Sequence, residues 1–307
     1  MSSPIEVIIN AGSGSVSVED TKLLLEEGFE ALGAEANIQI AKNGPHLLRL
    51  AKKAAESEAE TIVAGGGDGT ISAVAAEVMK AGKVLGVLPL GTLNNFSKDL
   101  QIPPELTEAI RVIAENHIKK IDVGEVNGQT FINNSSIGLY PRIVRRRVKQ
   151  QQKLGRGKWA AAAWAAWKVI RFAPLLKVKL TLDNMQFLRK TPFVFVGNNE
   201  YEMDFFKVGR RASLDAGKLS VYFLRRGGRW GLVMLILRTI FGRLRQAKDF
   251  ECINTEEIAI QTRRKRLWVA FDGEVAKMET PLIFKVIPLA LNVIVPAENE
   301  VEPEEGM

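Results

Sequence analysis

Over its first 120 residues the chain alternates compact apolar runs with stretches whose apolar residues recur every three or four positions. Glu6 to Asn10 reads as a strand, Val18 to Leu32 as a helix, Ala36 to Ala41 as a strand and His46 to Ala55 as a helix. Thr61 to Ala64 is a third apolar run, Ile71 to Lys80 is apolar at helical spacing, and Val84 to Leu88 is a fourth buried run. Strands alternating with helices predict a parallel, Rossmann-like sheet with helices on its faces.

From about Ile121 the pattern changes to short, partly alternating runs. They are Asp122 to Val126, Thr130 to Asn134, Lys177 to Leu182, Thr191 to Val196, Leu219 to Leu224, Glu257 to Gln261, Leu267 to Phe271 and Phe284 to Ile287. Turn pairs such as Asn127-Gly128 and Asp183-Asn184 separate several of them, as an antiparallel sandwich or barrel requires. Two helical stretches interrupt the series, Gly157 to Phe172 and Gly231 to Ala247. The fold class is therefore α/β plus β: residues 1–120 an α/β nucleotide-binding domain, 121–296 a β-rich domain, and 297–307 an acidic tail expected to be disordered.

The chemistry gathers where the apolar runs of the first domain end. Thr61 to Ala64 breaks into Gly65, Gly66, Gly67, Asp68, Gly69 and Thr70, just before a helix. Glycine opens backbone angles closed to other residues and lets an oxyanion approach the main chain, and free amides at a helix start favour negative charge. Asp68 would repel a phosphate unless a cation, most simply magnesium, lies between them or the side chain faces elsewhere. Asn10-Ala11-Gly12-Ser13-Gly14 follows the first strand and Pro89 to Ser97 the fourth. In open parallel sheets ligands sit beyond the carboxyl ends of the strands, so the three loops arrive at one rim.

Composition adds a partner class and removes others. The formal charge of +7 includes five glutamates from Glu298 onward, which leaves the remainder at +12 and suited to an anionic partner. One cysteine, Cys252, excludes an internal disulfide, and with only two histidines a zinc site is not expected. The first residues lack a basic region leading into a long apolar stretch, which predicts a cytoplasmic protein. The most apolar window, Trp230 to Phe241, is too short to span a bilayer and contains Arg238, so no transmembrane segment is expected.

Gly65 to Thr70, Gly91 to Phe96 and a later Phe271-Asp272-Gly273-Glu274 together resemble the bacterial diacylglycerol kinase family, soluble lipid kinases related to sphingosine kinases. The resemblance runs over nearly the whole chain. It implies an N-terminal α/β domain and a C-terminal β-sandwich enclosing a cleft, with Mg²⁺ and ATP as cofactors and a lipid hydroxyl accepting the γ-phosphate. The Gly-Gly-Asp-Gly-Thr core is shared with NAD kinases and is similar to a segment of phosphofructokinases; Gly-Thr-x-Asn-x-Phe and Asp-Gly-Glu narrow the choice. By this resemblance the nucleotide-binding residues are Asn10, Gly12, Ser13 and Gly14, then Gly66, Gly67, Asp68, Gly69 and Thr70, then Thr92 and Asn94. Residue 95 is Asn95 where many members have aspartate. The catalytic candidates are Glu274 or Asp272 as general base, the other orienting it, with Asp68 at the phosphates. Some members hold a magnesium at Leu-x-Asp-Gly; here the aspartate position is Ala216, and Asp215 is the only side chain available.

Between Arg142 and Lys158 stand eight basic residues, Arg145, Arg146 and Arg147 among them, and no acid. Trp159, Trp164 and Trp167 follow on a helical pattern, and tryptophan favours the boundary between water and lipid. This predicts an anionic membrane surface as partner, with peripheral attachment at its inner face; without a reader motif, nucleic acid is not expected. Two other functions fit the scaffold. One is a binding module that has lost catalysis, suggested by Asn95 and Ala216; the other is NAD kinase, for which Asn199-Glu200 would have to serve the ribose.

Overall fold

The computed structural model describes residues 4–12, 17–138, 141, 175–182, 185–204, 207–224 and 250–297. The helices expected at Gly157–Phe172 and Gly231–Ala247, the Asp183-Asn184 turn and the acidic tail lie outside the described residues. The chain divides into two units, one of residues up to Lys120 with those from Leu291 onward, the other Ile121–Ala290.

The first unit contains β1 (Ile5–Asn10), α1 (Val18–Ala31), β2 (Ala36–Ala41), α2 (Gly44–Glu56), β3 (Thr61–Gly65), α3 (Asp68–Ala81), β4 (Val84–Leu88), α4 (Asn95–Asp99) and α5 (Leu106–Glu115). Its strands run parallel in the order β2, β1, β3, β4. Successive residues Val7, Ile8 and Ile9, and again Ile62, Val63 and Ala64, are buried. Neighbours on a strand point to opposite faces, so both faces of the sheet are covered. The helices α1 and α5 pack on each other, as do α2 and α3. This is why the apolar runs are continuous rather than alternating.

The second unit is built from β5 (Ile118–Val126), β6 (Gln129–Phe131), β7 (Asn134–Gly138), β8 (Leu176–Leu182), β9 (Met185–Thr191), β10 (Phe193–Asn198), β11 (Tyr201–Asp204), β12 (Lys207–Arg211), β13 (Leu219–Leu224), β14 (Phe250–Thr255), β15 (Glu257–Thr262), β16 (Arg266–Phe271), β17 (Glu274–Glu279) and most of β18 (Leu282–Ile294). One antiparallel sheet runs β14, β13, β10, β7, β16, β17; the other layer runs β9, β8, β15, β18, with β5 and β6 beside β18. Val194, Val196, Val221, Phe223 and Val269 of the first layer and Val178, Leu180, Ile258, Ile260 and Phe284 of the second form one buried cluster, which makes the pair a sandwich. Asn127 and Gly128 close the β5–β6 hairpin at φ 47° and 82°, the left-handed pair that matches strand twist.

One expectation is corrected. The strand expected over Thr130 to Asn134 is interrupted at Ile132 and Asn133, because the amides of Ile132, Asn133 and Asn134 turn to a side chain, Asp272, instead of a neighbouring strand. The last strand, β18, ends in residues that belong to the first unit, from Leu291 onward. Asn292 and Val293 pair parallel with Val84 and Leu85, filling the open edge of β4 with main-chain hydrogen bonds.

Candidate functional site

In the first unit the loops after β1, β3 and β4 are joined by contacts that only small or well-placed residues permit. Asn10, the last residue of β1, donates from Nδ2 to Thr70 Oγ1 at 2.9 Å, and its Oδ1 accepts the Gly12 amide at 3.1 Å. Thr70 is buried in the first turn of α3, so its hydroxyl ties two loops together rather than capping its own helix. A Cβ on Gly66 would lie 2.6 Å from Thr70 Cβ, and one on Gly91 would lie 2.3 Å from Gly67 Cα. Gly66, Gly67 and Gly91 are absent from the residues at positive φ, and Gly67 stands at φ −84°. The glycines serve close approach; the expectation that they take angles forbidden to other residues is corrected.

The helix α3 begins at Gly67 without a side-chain cap, which leaves its first amides to an outside acceptor. Its acid does not point into that opening. Asp68 Oδ1 accepts the Phe96 amide at 2.9 Å and Oδ2 accepts Asn95 Nδ2 at 3.3 Å, so the carboxylate is aimed at the start of α4. Asn94, at φ 50°, donates to Pro89 O at 2.9 Å and closes the loop on itself, while its Oδ1 is buried without a hydrogen-bond partner. Thr92 and Gly69 are exposed. Ser13 and Gly14 lie outside the described residues.

In the second unit Asp272 and Glu274 are not equivalent. Asp272 and Gly273, at φ 44° and 89°, form the two-residue turn between β16 and β17, which sets Glu274 opposite Phe271 as the first residue of β17. The Asp272 carboxylate is buried and accepts three amides: Ile132 at 2.7 Å on Oδ2, Asn133 at 2.9 Å and Asn134 at 3.0 Å on Oδ1. A carboxylate so engaged has little capacity left for a substrate proton. Glu274 is exposed and makes no hydrogen bond or ion pair among the described residues.

Sequence reasoning missed two buried charges here. Arg211 donates from Nη1 to Ile132 O at 2.6 Å and Asn198 O at 3.2 Å, and from Nη2 to Asn133 Oδ1 at 3.4 Å. Asp122, wholly buried, accepts the Gly217 amide at 2.6 Å and the Leu289 amide at 2.9 Å. The signal for Asp122 was a carboxylate between the apolar Ile121 and Val123. Arg211 carried none.

The residues around Asp215 do not fit a resident magnesium. Asp215 is exposed, and its carboxylate accepts Ser213 Oγ in a local turn whose amide returns to the same oxygen at 3.1 Å. Among the described residues no three His, Cys, Asp or Glu side chains gather where they could share an ion. One carboxylate with carbonyls and water is a weak Mg²⁺ holder. Of the pair named for the NAD kinase alternative, Asn199 is wholly buried and Glu200 accepts Asn254 Nδ2 at 3.2 Å. No helix among the described residues is long and apolar enough to cross a membrane. The basic run from Arg142, the tryptophans after it and the window from Trp230 lie outside the described residues.

Residues 4–126 match the diacylglycerol kinase catalytic domain, and residues 136–295 match the YegS C-terminal NAD kinase beta sandwich-like domain. The chain is 33% identical over 146 residues to a protein of Klebsiella pneumoniae (strain 342) named "Probable lipid kinase YegS-like", covering 46% of this chain and 48% of the relative. It is 26% identical over 227 residues to a protein of Staphylococcus haemolyticus (strain JCSC1435) named diacylglycerol kinase, covering 72% of this chain and 67% of the relative. The first of these alignments thus spans about half of the relative's length, and another, with a diacylglycerol kinase of Staphylococcus epidermidis, only 30%. A crystal structure described as a diacylglycerol kinase from Bacillus anthracis str. Sterne superposes with a TM-score of 0.71 over 96% of this chain and 97% of that one. At 21% identity this is a likeness of fold.

Proposed function

Because the chain belongs to the family that joins a diacylglycerol kinase catalytic domain to a YegS C-terminal NAD kinase beta sandwich-like domain, we propose that it is an ATP-dependent lipid kinase, passing the γ-phosphate of ATP to a hydroxyl of a membrane lipid such as diacylglycerol. The observation that carries the reading is the contact between the two glycine loops, with Gly91 against Gly67 at the carboxyl ends of β3 and β4, beside an uncapped helix start. Main chain free of side chains next to free amides is what a polyphosphate needs, since its oxygens bind amides and its charge is met by the helix end. Asn10 and Thr70 hold the loop after β1 to the same place, and Gly12, Ser13, Gly14, Thr92 and Asn94 complete the segments assigned to the nucleotide.

Transfer needs an in-line hydroxyl, neutralised phosphates and an acceptor for one proton. The lipid oxygen forms the new bond to the γ-phosphorus, the bond to the bridging oxygen breaks, ADP leaves, and the hydroxyl proton passes to Glu274. Glu274 suits that task because it is exposed and unengaged among the described residues; Asp272 positions it by holding the turn from which β17 starts. Magnesium enters with the nucleotide as part of the substrate, and Asp215 is not assigned to it.

The surplus of positive charge and the segment from Arg142 to Trp167 support attachment to an anionic membrane surface from the cytoplasmic side. The test is incubation of the purified protein with γ-labelled ATP, magnesium and a lipid extract. A labelled lipid is expected from the parent and not from Glu274→Gln; label found only in inorganic phosphate, or in NADP when NAD is supplied, would overturn the reading.

A further inference from the structure

The loop between β12 and β13, residues 212–218, is tied down by main chain and by one acid from another strand. Leu214 is buried, and its carbonyl accepts the Asp122 amide at 2.8 Å; the Lys218 carbonyl accepts the Asn199 amide at 2.9 Å. Between them Gly217, at φ 66°, donates its amide to Asp122 Oδ2 at 2.6 Å. Asp122 is wholly buried in β5, and its other carboxylate oxygen accepts the Leu289 amide at 2.9 Å. Leu289 stands at φ 50°, which leucine adopts rarely, so the chain there is held by its contacts.

A divalent cation fixes a loop by drawing oxygens of separate residues to one point. Here the loop presents Asp122 with a donor instead, and an amide aimed at a carboxylate needs no cation between them. The carbonyls of Leu214 and Lys218 already face amides, and Asp215 turns its carboxylate to Ser213 on the exposed side of the loop. Ala216 stands where some members of the family have the acid of Leu-x-Asp-Gly, and it has no side-chain oxygen to give.

The grip continues toward Glu274. The Asp122 carbonyl accepts Asn198 Nδ2 at 2.8 Å, and the same nitrogen donates to Ile132 O at 3.0 Å. Asn198 is wholly buried, and the amide of Ile132 is one of the three that Asp272 holds. We infer that Asp122 is a positioning residue: it fixes the 212–218 loop without a resident cation and, through Asn198 and Ile132, steadies the turn that presents Glu274. The effect on Glu274 rests on the kinase reading; the metal-free clamp rests on geometry alone.

The test uses the full chain, as the parent, Asp122→Asn and Asp215→Ala. The parent is expected to melt within about 1 °C of the same temperature in EDTA and in excess magnesium, since a cation held only by the folded state would raise that temperature. Asp215→Ala removes the loop's exposed acid and is expected to melt within about 2 °C of the parent in both. A carboxamide at 122 keeps one acceptor and turns an NH₂ on the other amide, so Asp122→Asn is expected to melt about 4 °C or more below the parent, with no recovery in magnesium. Assayed well below its melting temperature, it should lose about fivefold or more in kcat while KM for MgATP stays within about twofold, the split of a displaced base rather than of a looser fold. A parent that melts lower in EDTA and recovers with magnesium overturns the metal-free clamp, as does Asp122→Asn melting with the parent. An unchanged kcat in Asp122→Asn overturns the positioning of Glu274. Should Asp122→Asn not fold, the parent and Asp215→Ala still decide the clamp, and Asn198→Ser, which keeps the Asp122 carboxylate, decides the positioning by the same kcat loss or its absence. If the parent phosphorylates no lipid, the kinase reading falls, and the melting temperatures still decide the clamp.

Discussion

Asp272 and Arg211 share two residues of one short segment, Ile132 and Asn133, the acid through their amides and the base through acceptors. The carboxylate takes the amides of Ile132, Asn133 and Asn134, while the guanidinium takes the carbonyl of Ile132 and the side chain of Asn133. Both are buried, and Arg211 lies 5.7 Å from the centre of the Tyr201 ring. Burying either charge alone is costly, and main-chain dipoles of the right sign offset that cost. The consequence for the site is a turn at Asp272-Gly273 that has little freedom to move, and with it Glu274.

Asp272→Ala should therefore act first on stability. It leaves three buried amides without an acceptor, at about 1–3 kcal/mol for each that stays dry. A fall in melting temperature of about 6 °C or more is expected for a unit of this size. A variant that melts with the parent but turns over slowly would mean that the carboxylate works on substrate rather than on the chain.

Glu274→Gln should do the reverse. Glu274 is exposed and has no partner to lose among the described residues, so the melting temperature is expected to stay within about 1 °C of the parent. Turnover should drop by roughly a hundredfold or more, the range a positioned base supplies. Steady-state kinetics with saturating ATP and lipid measures it; a loss confined to the Michaelis constant would remove Glu274 from proton transfer.

Gly91→Ala tests the loop contact. The added methyl would sit 2.3 Å from Gly67 Cα, and since the obstacle is main chain, the loops must separate. A destabilisation of about 1–3 kcal/mol is expected, with a larger effect on nucleotide affinity, measured by calorimetry. Nucleotide bound as tightly as by the parent would place the phosphates away from this contact.

Tyr222 gives a pH dependence. Burial, reinforced by the neighbouring Cys252, pushes its phenol well above the ordinary value near 10, and burial likewise raises the Cys252 thiol. The folded state therefore keeps a proton that the unfolded chain releases. The stabilisation is full below pH ~10 and is lost as pH rises from there through the folded value. Urea midpoints measured between pH 8 and 11.5 should decline less steeply in Tyr222→Phe than in the parent; parallel declines would show that the phenol ionises within the fold.

The surface prediction concerns Arg145, Arg146 and Arg147. Replacing all three by serine should weaken co-sedimentation with anionic vesicles and raise the apparent Michaelis constant for lipid presented in them, since each basic side chain near such a surface contributes about 1 kcal/mol. Activity on a short-chain soluble analogue should hold, and added salt should mimic the change. Salt-insensitive binding of the triple variant would make the run an ordinary solvated segment.

How much of this was legible in the sequence follows from the range of the forces involved. Burial on both faces writes continuous apolar runs into β1, β3 and β4, and the left-handed turns write Asn127-Gly128 and Asp272-Gly273 into the hairpins, because both demands act on neighbouring residues. Thus the two kinds of sheet, and the rim where the loops gather, could be read in advance. The duties of the acids could not. Asp68 could be seen to lie beside a phosphate loop, but its aim is set by an amide at Phe96, and Asp272 is engaged by amides up to 140 residues away. A hydrogen bond has a reach of about 3 Å in space and none along the chain. Which carboxylate is spent on the main chain and which stays open to solvent was therefore decided by the tertiary structure, where Asp272 meets Ile132 and Glu274 meets water.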